Sequence, residues 1–88
     1  MRVEFTSGAY EDYCYWKEND SKIFNRLISL IKNIKESPFH GIGKPEPLRG
    51  NLAGYWSRRI THEHRIVYKV TGKRSEQILN IIQCRYHY

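Results

Sequence analysis

Residues 55–71 read Tyr55-Trp56-Ser57-Arg58-Arg59-Ile60-Thr61-His62-Glu63-His64-Arg65-Ile66-Val67-Tyr68-Lys69-Val70-Thr71. Two runs rich in aromatic and β-branched side chains, Tyr55 to Thr61 and His64 to Thr71, flank His62-Glu63, the pattern of two strands joined by a short turn. A third run, Gln77 to Arg85, follows the polar turn Gly72-Lys73-Arg74-Ser75-Glu76, so three successive antiparallel strands are predicted. Within it, Ile78-Leu79-Asn80-Ile81-Ile82 is almost continuously apolar, as expected of a strand covered on both faces.

Working back toward the N-terminus, Pro38 to Asn51 carries three prolines and three glycines, which excludes regular structure over most of that stretch. Before it, Ile23, Leu27, Leu30, Ile31 and Ile34 recur at steps of four and three, with Lys22, Arg26, Lys32 and Lys35 outside the stripe. This spacing predicts an amphipathic helix capped by Asp20 or Ser21 and ended at Ser37-Pro38, because proline disfavours helical geometry in the residue before it. A shorter helix from Ser7 to near Asn19 is predicted from Tyr10, Tyr13, Cys14 and Lys17, with Glu11 and Asp12 expected in its first turn. The alternating Arg2-Val3-Glu4-Phe5 reads as a short strand entering that helix. The predicted architecture is α+β, one domain over residues 1–88, in which an N-terminal strand and two helices pack on an antiparallel sheet.

A chain of 88 residues supports one modest core. Its 15 Lys and Arg against 9 acidic residues give a net charge of +6, which favours a polyanionic partner: RNA, DNA or an acidic protein. Cys14 and Cys84 are too few and too far apart for a disulfide framework or a zinc site, so two buried, reduced thiols in a cytosol are expected. There is no apolar core of signal-peptide length and no run near the roughly 20 apolar residues of a membrane span. A soluble, cytoplasmic protein without membrane contact is the expectation. Tyr, Phe and Trp make up 14% of the chain, which excludes a disordered basic tail.

Glu46 lies between Pro45 and Pro47, and a carboxylate flanked by two fixed φ angles suits a general base that must hold one position. Taken alone, the motif also fits a surface connection that prolines merely stiffen. Alternation sets Tyr55, Ser57, Arg59 and Thr61 on one strand face and Trp56, Arg58 and Ile60 on the other, while Arg65 and Lys69 share a face of the next strand. Singly, each arginine reads as a solvated side chain; Arg49, Arg59 and Arg65 clustered near Glu46 would form a phosphate clamp. The terminus Cys84-Arg85-Tyr86-His87-Tyr88 is aromatic enough to lie against the domain. There His87 can exchange a proton and Tyr88 offers a hydroxyl beside the terminal carboxylate. His62 and His64 read as turn and strand-edge residues and His40 as a loop residue. The four histidines lack metal-ligand spacing, so neither metal nor cofactor is assigned.

Lys44-Pro45-Glu46-Pro47-Leu48, Asn51 to Thr61, Glu63-His64-Arg65-Ile66-Val67-Tyr68 and the closing Cys84-Arg85-Tyr86-His87-Tyr88 resemble the YoeB toxins of the RelE superfamily. Tyr13, Tyr15, Trp16, Pro38 and Phe39 also fit, so the resemblance spans nearly the whole chain; Gly72 to Gln77 is its least typical segment. It implies a RelE-like microbial-ribonuclease fold, cleavage of mRNA on the 70S ribosome, a YefM-type antitoxin and a homodimer. The family's active-site groups fall on Glu46, Arg65, His87 and Tyr88, with Lys44, Arg49 and Arg59 as phosphate or ribosome contacts. Arg49 stands where lysine is also seen, which keeps the charge and alters donor geometry.

Such a metal-free cut needs a base, a cation and an acid, roles the resemblance distributes to Glu46, Arg65 and His87, with Tyr88 orienting the substrate. If the tail ran on as a straight strand, His87 and Tyr88 would point to opposite faces, so a bend is required for both to reach one phosphate. Two rivals remain: a non-catalytic module that binds RNA or serves the antitoxin as corepressor, and a ribonuclease that acts without ribosomes.

Overall fold

The computed structural model describes residues 1–87; Tyr88, one of the expected site residues, lies outside the described residues. The elements run β1 (Arg2–Phe5), α1 (Ser7–Asn19), α2 (Ser21–Glu36), β2 (Glu46–Pro47), β3 (Trp56–Arg59), β4 (Arg65–Thr71) and β5 (Ile78–Gln83), with 3-10 turns at Gly50–Leu52 and Arg74–Glu76. The five strands form one sheet in the order β1-β5-β4-β3-β2.

Each helix begins where a side chain can satisfy orphan amides. Thr6 Oγ1 accepts from the Ala9 amide at 3.2 Å and Asp20 Oδ1 from the Ile23 amide at 3.1 Å. Glu11 and Asp12 fall beyond the first turn of α1, which holds no acidic residue. The expected dipole role is therefore absent, and Asp12 serves instead as an acceptor for the tail. Leu27, Leu30 and Ile34 of α2 are wholly buried, and each such side chain contributes roughly 1.5–3 kcal/mol by leaving water. They pack with Ala9, Trp16, Ile60, Ile66, Tyr68, Leu79, Ile81 and Cys84 between the helices and one face of the sheet.

The sheet departs from the fully antiparallel expectation. β1 runs parallel to β5, with Val3 beside Leu79 and Phe5 beside Ile81, whereas β2–β3, β3–β4 and β4–β5 are antiparallel. That register directs the apolar half of β1 toward the helices and leaves Arg2 and Glu4, paired with each other at 2.9 Å, on the far side. β5 is covered mainly on one face: Leu79 and Ile81 are buried while Ile78 and Ile82 are half-buried. The proline-rich stretch does contribute regular structure, since Glu46-Pro47 pairs with Ser57 and Trp56. A proline is tolerated there because β2 is an edge strand, where a missing N–H costs no ladder bond on the open side.

A bulge at Ile82 shapes the site. Tyr68 pairs with Ile81 and Val67 with Gln83, so Ile82 is passed over. Strict alternation from Ile81 would return Gln83 and Arg85 to the core; the extra residue turns Gln83 to the far face and buries Cys84 instead.

Candidate active site

The sheet face away from the helices carries the charged residues. Cross-strand partners share a face, so Glu46, Ser57, Val67 and Gln83 form one row across four strands. Arg59 and Arg65 are paired two residues farther along. Val67 (0% exposed) and Ser57 (2%) are buried although they stand opposite the core, and they form the floor of this face. On this floor Glu46 is exposed at the edge, and neither Glu46 nor Arg59 enters an ion pair with another described residue. Like charges directly across a ladder are unfavourable. Part of that cost is relieved because Arg65 Nη1 turns to the carbonyls of Thr61, His62 and His64 at 2.9, 2.9 and 3.2 Å.

Two irregular segments close on this face. The first is the loop before β2, anchored by Arg58. Alternation points Arg58 away from Arg59 and into the interior, where it is wholly buried. Its guanidinium donates to Asn33 Oδ1, to the carbonyls of Ser37, His40 and Ile42, and through Nε to the Tyr68 hydroxyl at 3.1 Å. Tyr68 passes the chain on by donating to the Pro38 carbonyl at 2.6 Å. Burial pushes the Tyr68 hydroxyl's pKa above its ordinary value, an effect the neighbouring guanidinium opposes. Gly43 completes the docking at φ +82°, its carbonyl accepting from the Arg59 amide at 2.7 Å. A Cβ there would lie 2.8 Å from Leu30 Cδ2. Lys44 follows in the left-handed region at φ 54° and is exposed. Arg49 is exposed too, but it stands past β2 beside the 3-10 turn, toward the opposite end of the hairpin from Arg59 and Arg65. The expected cluster therefore gathers Glu46, Arg59 and Arg65, with Lys44 at its rim and Arg49 apart from it.

The second segment is the tail. Trp16 Nε1 donates to the Cys84 carbonyl at 2.8 Å, the Cys84 amide donates to Asp12 Oδ2 at 3.2 Å, and the thiol reaches the Ala9 carbonyl at 3.4 Å. The Arg85 guanidinium lies 3.5 Å from the Tyr15 ring centre, a cation–π contact. The Tyr86 amide donates to His64 Nδ1 at 2.7 Å, and its carbonyl accepts from the Arg65 amide at 2.9 Å. Tyr86 has φ 65°, which bends the chain one residue before His87; the relation of His87 to Tyr88 lies outside the described residues. His87 follows, exposed at the surface, one residue beyond that backbone bond to Arg65. Burial raises the Asp12 carboxyl, opposed by the Cys84 amide and Arg85. Burial, aided by the Asp12 carboxylate, pushes the Cys84 thiol up to about 12.

Sequence reasoning missed the anchors: Arg58, taken for a solvated side chain, and Trp16, Asp12 and His64. For Arg58 and Trp16 a signal existed, since alternation set Arg58 opposite Arg59 and a buried indole N–H demands an acceptor.

Two helices on one side of a mixed sheet, with a basic open face framed by a loop and the C-terminal tail, define the class: a RelE-like α+β fold. Within that class, the family model for the YoeB-like toxin of bacterial type II toxin-antitoxin systems matches residues 5–88, and the chain belongs to this family. Toxin YoeB of Streptomyces coelicolor is 53% identical over 88 residues, covering all of both chains. The solved YoeB/ParE toxin from Agrobacterium tumefaciens superposes with a TM-score of 0.96 at 50% identity, also over the full length of both chains. A heterotetrameric YoeB-YefM toxin-antitoxin complex from Staphylococcus aureus contains a chain with TM-score 0.88 and 44% identity, covering 100% of this chain and 98% of that one.

Proposed function

We propose that this toxin is a ribosome-dependent, metal-independent endoribonuclease that cleaves mRNA on the 70S ribosome and so stops translation. The observation that carries this reading is Glu46 on the same open face as the cross-strand pair Arg59 and Arg65. Two guanidiniums with no carboxylate partner among the described residues suit a phosphodiester, and an exposed carboxylate on the neighbouring strand suits the hydroxyl beside it.

In this mechanism Glu46 takes the proton from the RNA 2′-hydroxyl as its oxygen bonds to the adjacent phosphorus. Arg65, with Arg59, stabilises the charge gathering on the phosphoryl oxygens. His87 donates a proton to the departing 5′-oxygen as its bond to phosphorus breaks, leaving a cyclic phosphate and a free 5′-hydroxyl. Tyr88 and the terminal carboxylate orient the substrate, and Lys44 and Arg49 hold the flanking backbone or ribosomal RNA. Glu46 and His87 are each worth about 10²- to 10⁴-fold, and the transition-state cation about 3 kcal/mol. The proposed partners beyond mRNA are a second copy of the chain and a YefM-like antitoxin, the latter by analogy with the staphylococcal complex. An antitoxin segment that covers the basic face or displaces the tail would silence the site.

Primer extension on a defined mRNA in a reconstituted translation system tests this, with and without ribosomes. The native chain should cut only with ribosomes, and Glu46→Ala and His87→Ala should lose the cuts while remaining folded. Cutting of naked RNA would instead make it a free ribonuclease, and no cutting at all a binding module.

A further inference from the structure

We propose that His64, in its neutral form with the proton on Nε2, is the positioning residue that sets the course of the C-terminal tail. This rests on the function proposed above: the tail carries His87 to the substrate only while the His64 Nδ1 lone pair is available. The Tyr86 amide points at that lone pair across 2.7 Å. Because the amide can only donate, Nδ1 must be the acceptor, and the ring's own proton is confined to Nε2. That nitrogen faces Glu63 Oε1 at 3.8 Å.

Tyr86 needs such a restraint. Its φ of 65° is a conformation that a tyrosine leaves readily when nothing holds it. Two bonds flank that bend, one to His64 Nδ1 and one from the Arg65 amide to the Tyr86 carbonyl. The imidazole is itself locked in place. Its side chain is 12% exposed, its ring meets Trp16 edge-on at 4.7 Å, and it touches the Tyr86 ring at 5.7 Å. Trp16 in turn holds the Cys84 carbonyl, so one histidine couples helix α1, the start of β4 and the tail.

Protonation of Nδ1 would set two N–H groups against each other and remove one of the two restraints on the bend. Of the charged groups around this junction, Glu63 Oε1 faces the ring at 3.8 Å and Asp12 of α1 interacts with its charge, while the Arg65 guanidinium reaches the His64 carbonyl at 3.2 Å and that of Arg85 lies 5.8 Å from the centre of the Trp16 ring. Ile23 of α2, Thr61 and His62 line one shallow cavity together with Glu63 and His64. The carboxylates attract an imidazolium and the guanidiniums oppose it.

The test pairs a structural readout with cleavage. Nitrogen-15 spectra of the native chain, followed from pH 8 to pH 5, should show His64 as the Nε2–H tautomer. The Tyr86 amide should stay protected from exchange until His64 takes up its proton and should lose protection with it. In ribosome-dependent cleavage at pH 8, His64→Ala should lower the rate about 10- to 100-fold, the range for a misplaced catalytic group. His64→Asn, whose Oδ1 can occupy the place of Nδ1 and does not titrate, should restore part of it. The ratio of Asn variant to native activity should then rise as pH falls. A Tyr86 amide indifferent to His64 protonation would overturn the proposal, as would a folded His64→Ala that cuts like the native chain. If the native chain proved unable to cut, the proposed function would fail, while the Tyr86 amide would still decide whether His64 sets the tail.

Discussion

The loop that leads to Glu46 and the tail that leads to His87 frame the same sheet face, yet they are held by different chemistry. The loop is fixed by a buried guanidinium that donates to an asparagine, a tyrosine hydroxyl and three backbone carbonyls. None of those contacts changes protonation near neutral pH. The tail is fixed by an indole, a carboxylate, an imidazole and a thiol, three of which titrate. Each segment also carries one non-glycine residue at positive φ, Lys44 at 54° and Tyr86 at 65°. The strain is matched on the two sides while the chemistry of the restraint is not: groups that keep their protons near neutral pH hold the loop, and the tail is held in part by His64, the residue proposed above to set its course.

The strongest way to break this contrast is to remove Arg58. Arg58→Met keeps an unbranched side chain in the pocket and strips the donors from Asn33, the Ser37, His40 and Ile42 carbonyls and the Tyr68 hydroxyl. Hydrogen bonds to a charged group are worth about 1.5–3 kcal/mol each, and buried acceptors left without donors add their own penalty. A loss of about 3 kcal/mol or more is expected in urea denaturation, nearly equal at pH 5.5 and pH 8 because guanidinium does not titrate there. A loss below about 1 kcal/mol would mean that the loop is held by its prolines and glycines rather than by Arg58.

Arg58 also shows what was legible in the sequence. Alternation across Trp56-Ser57-Arg58-Arg59 separates the two arginines correctly, and the apolar stripe of α2 and the three C-terminal strands follow from periodicity alone. The destination of Arg58 did not, because its acceptors come from α2 and from a loop more than a dozen residues away, and a period specifies a face without naming the partner. β1 illustrates the same limit: Arg2-Val3-Glu4-Phe5 announces a strand, but its parallel place beside β5 depends on the path of both helices. The Ile82 bulge escaped because a single extra residue leaves composition unchanged. For the site, Glu46, Arg59 and Arg65 share a face as strand patterning allows, whereas Arg49 does not join them. The tail's tie to Asp12, Trp16 and His64 spans most of the chain, beyond what local spacing carries.

On the tail side the corresponding change is Trp16→Phe, which keeps an aromatic ring in the core and removes the donor to the Cys84 carbonyl. One buried carbonyl left unpaired costs about 1–3 kcal/mol, less than the Arg58 substitution. Hydrogen exchange should separate the two variants. Trp16→Phe should speed exchange at the Cys84 and Tyr86 amides and leave the Ile42 amide, which donates to Asn33, as protected as before; Arg58→Met should do the reverse. Equal loosening of both segments in either variant would show that loop and tail form one cooperative unit, and the contrast would collapse.

The smallest effect sharpens the contrast at alkaline pH. The Cys84 thiol ionises at about 12 in the fold against an ordinary 9.0, first through burial and then through the Asp12 carboxylate. A raised folded value means the thiol's contribution is whole below pH 9 and is lost as pH climbs toward 12, because only the unfolded chain then releases the proton. The native chain should therefore lose about 1 kcal/mol of stability between pH 9 and pH 10 from Cys84 alone, the slope rising toward about 1.4 kcal/mol per pH unit beyond. Between pH 9 and pH 10 the loop side has no comparable group, since Tyr68 starts from 10.0 and is raised further. Urea midpoints measured over that interval should fall more steeply for the native chain than for Cys84→Ala. Alkylation offers an independent check: Cys14, half-buried rather than buried as expected, should react in the folded protein, and Cys84 only on unfolding. Parallel slopes for native and variant, or equal labelling of both thiols, would mean that the tail opens around Cys84 far more readily than its three hydrogen bonds to Ala9, Asp12 and Trp16 allow.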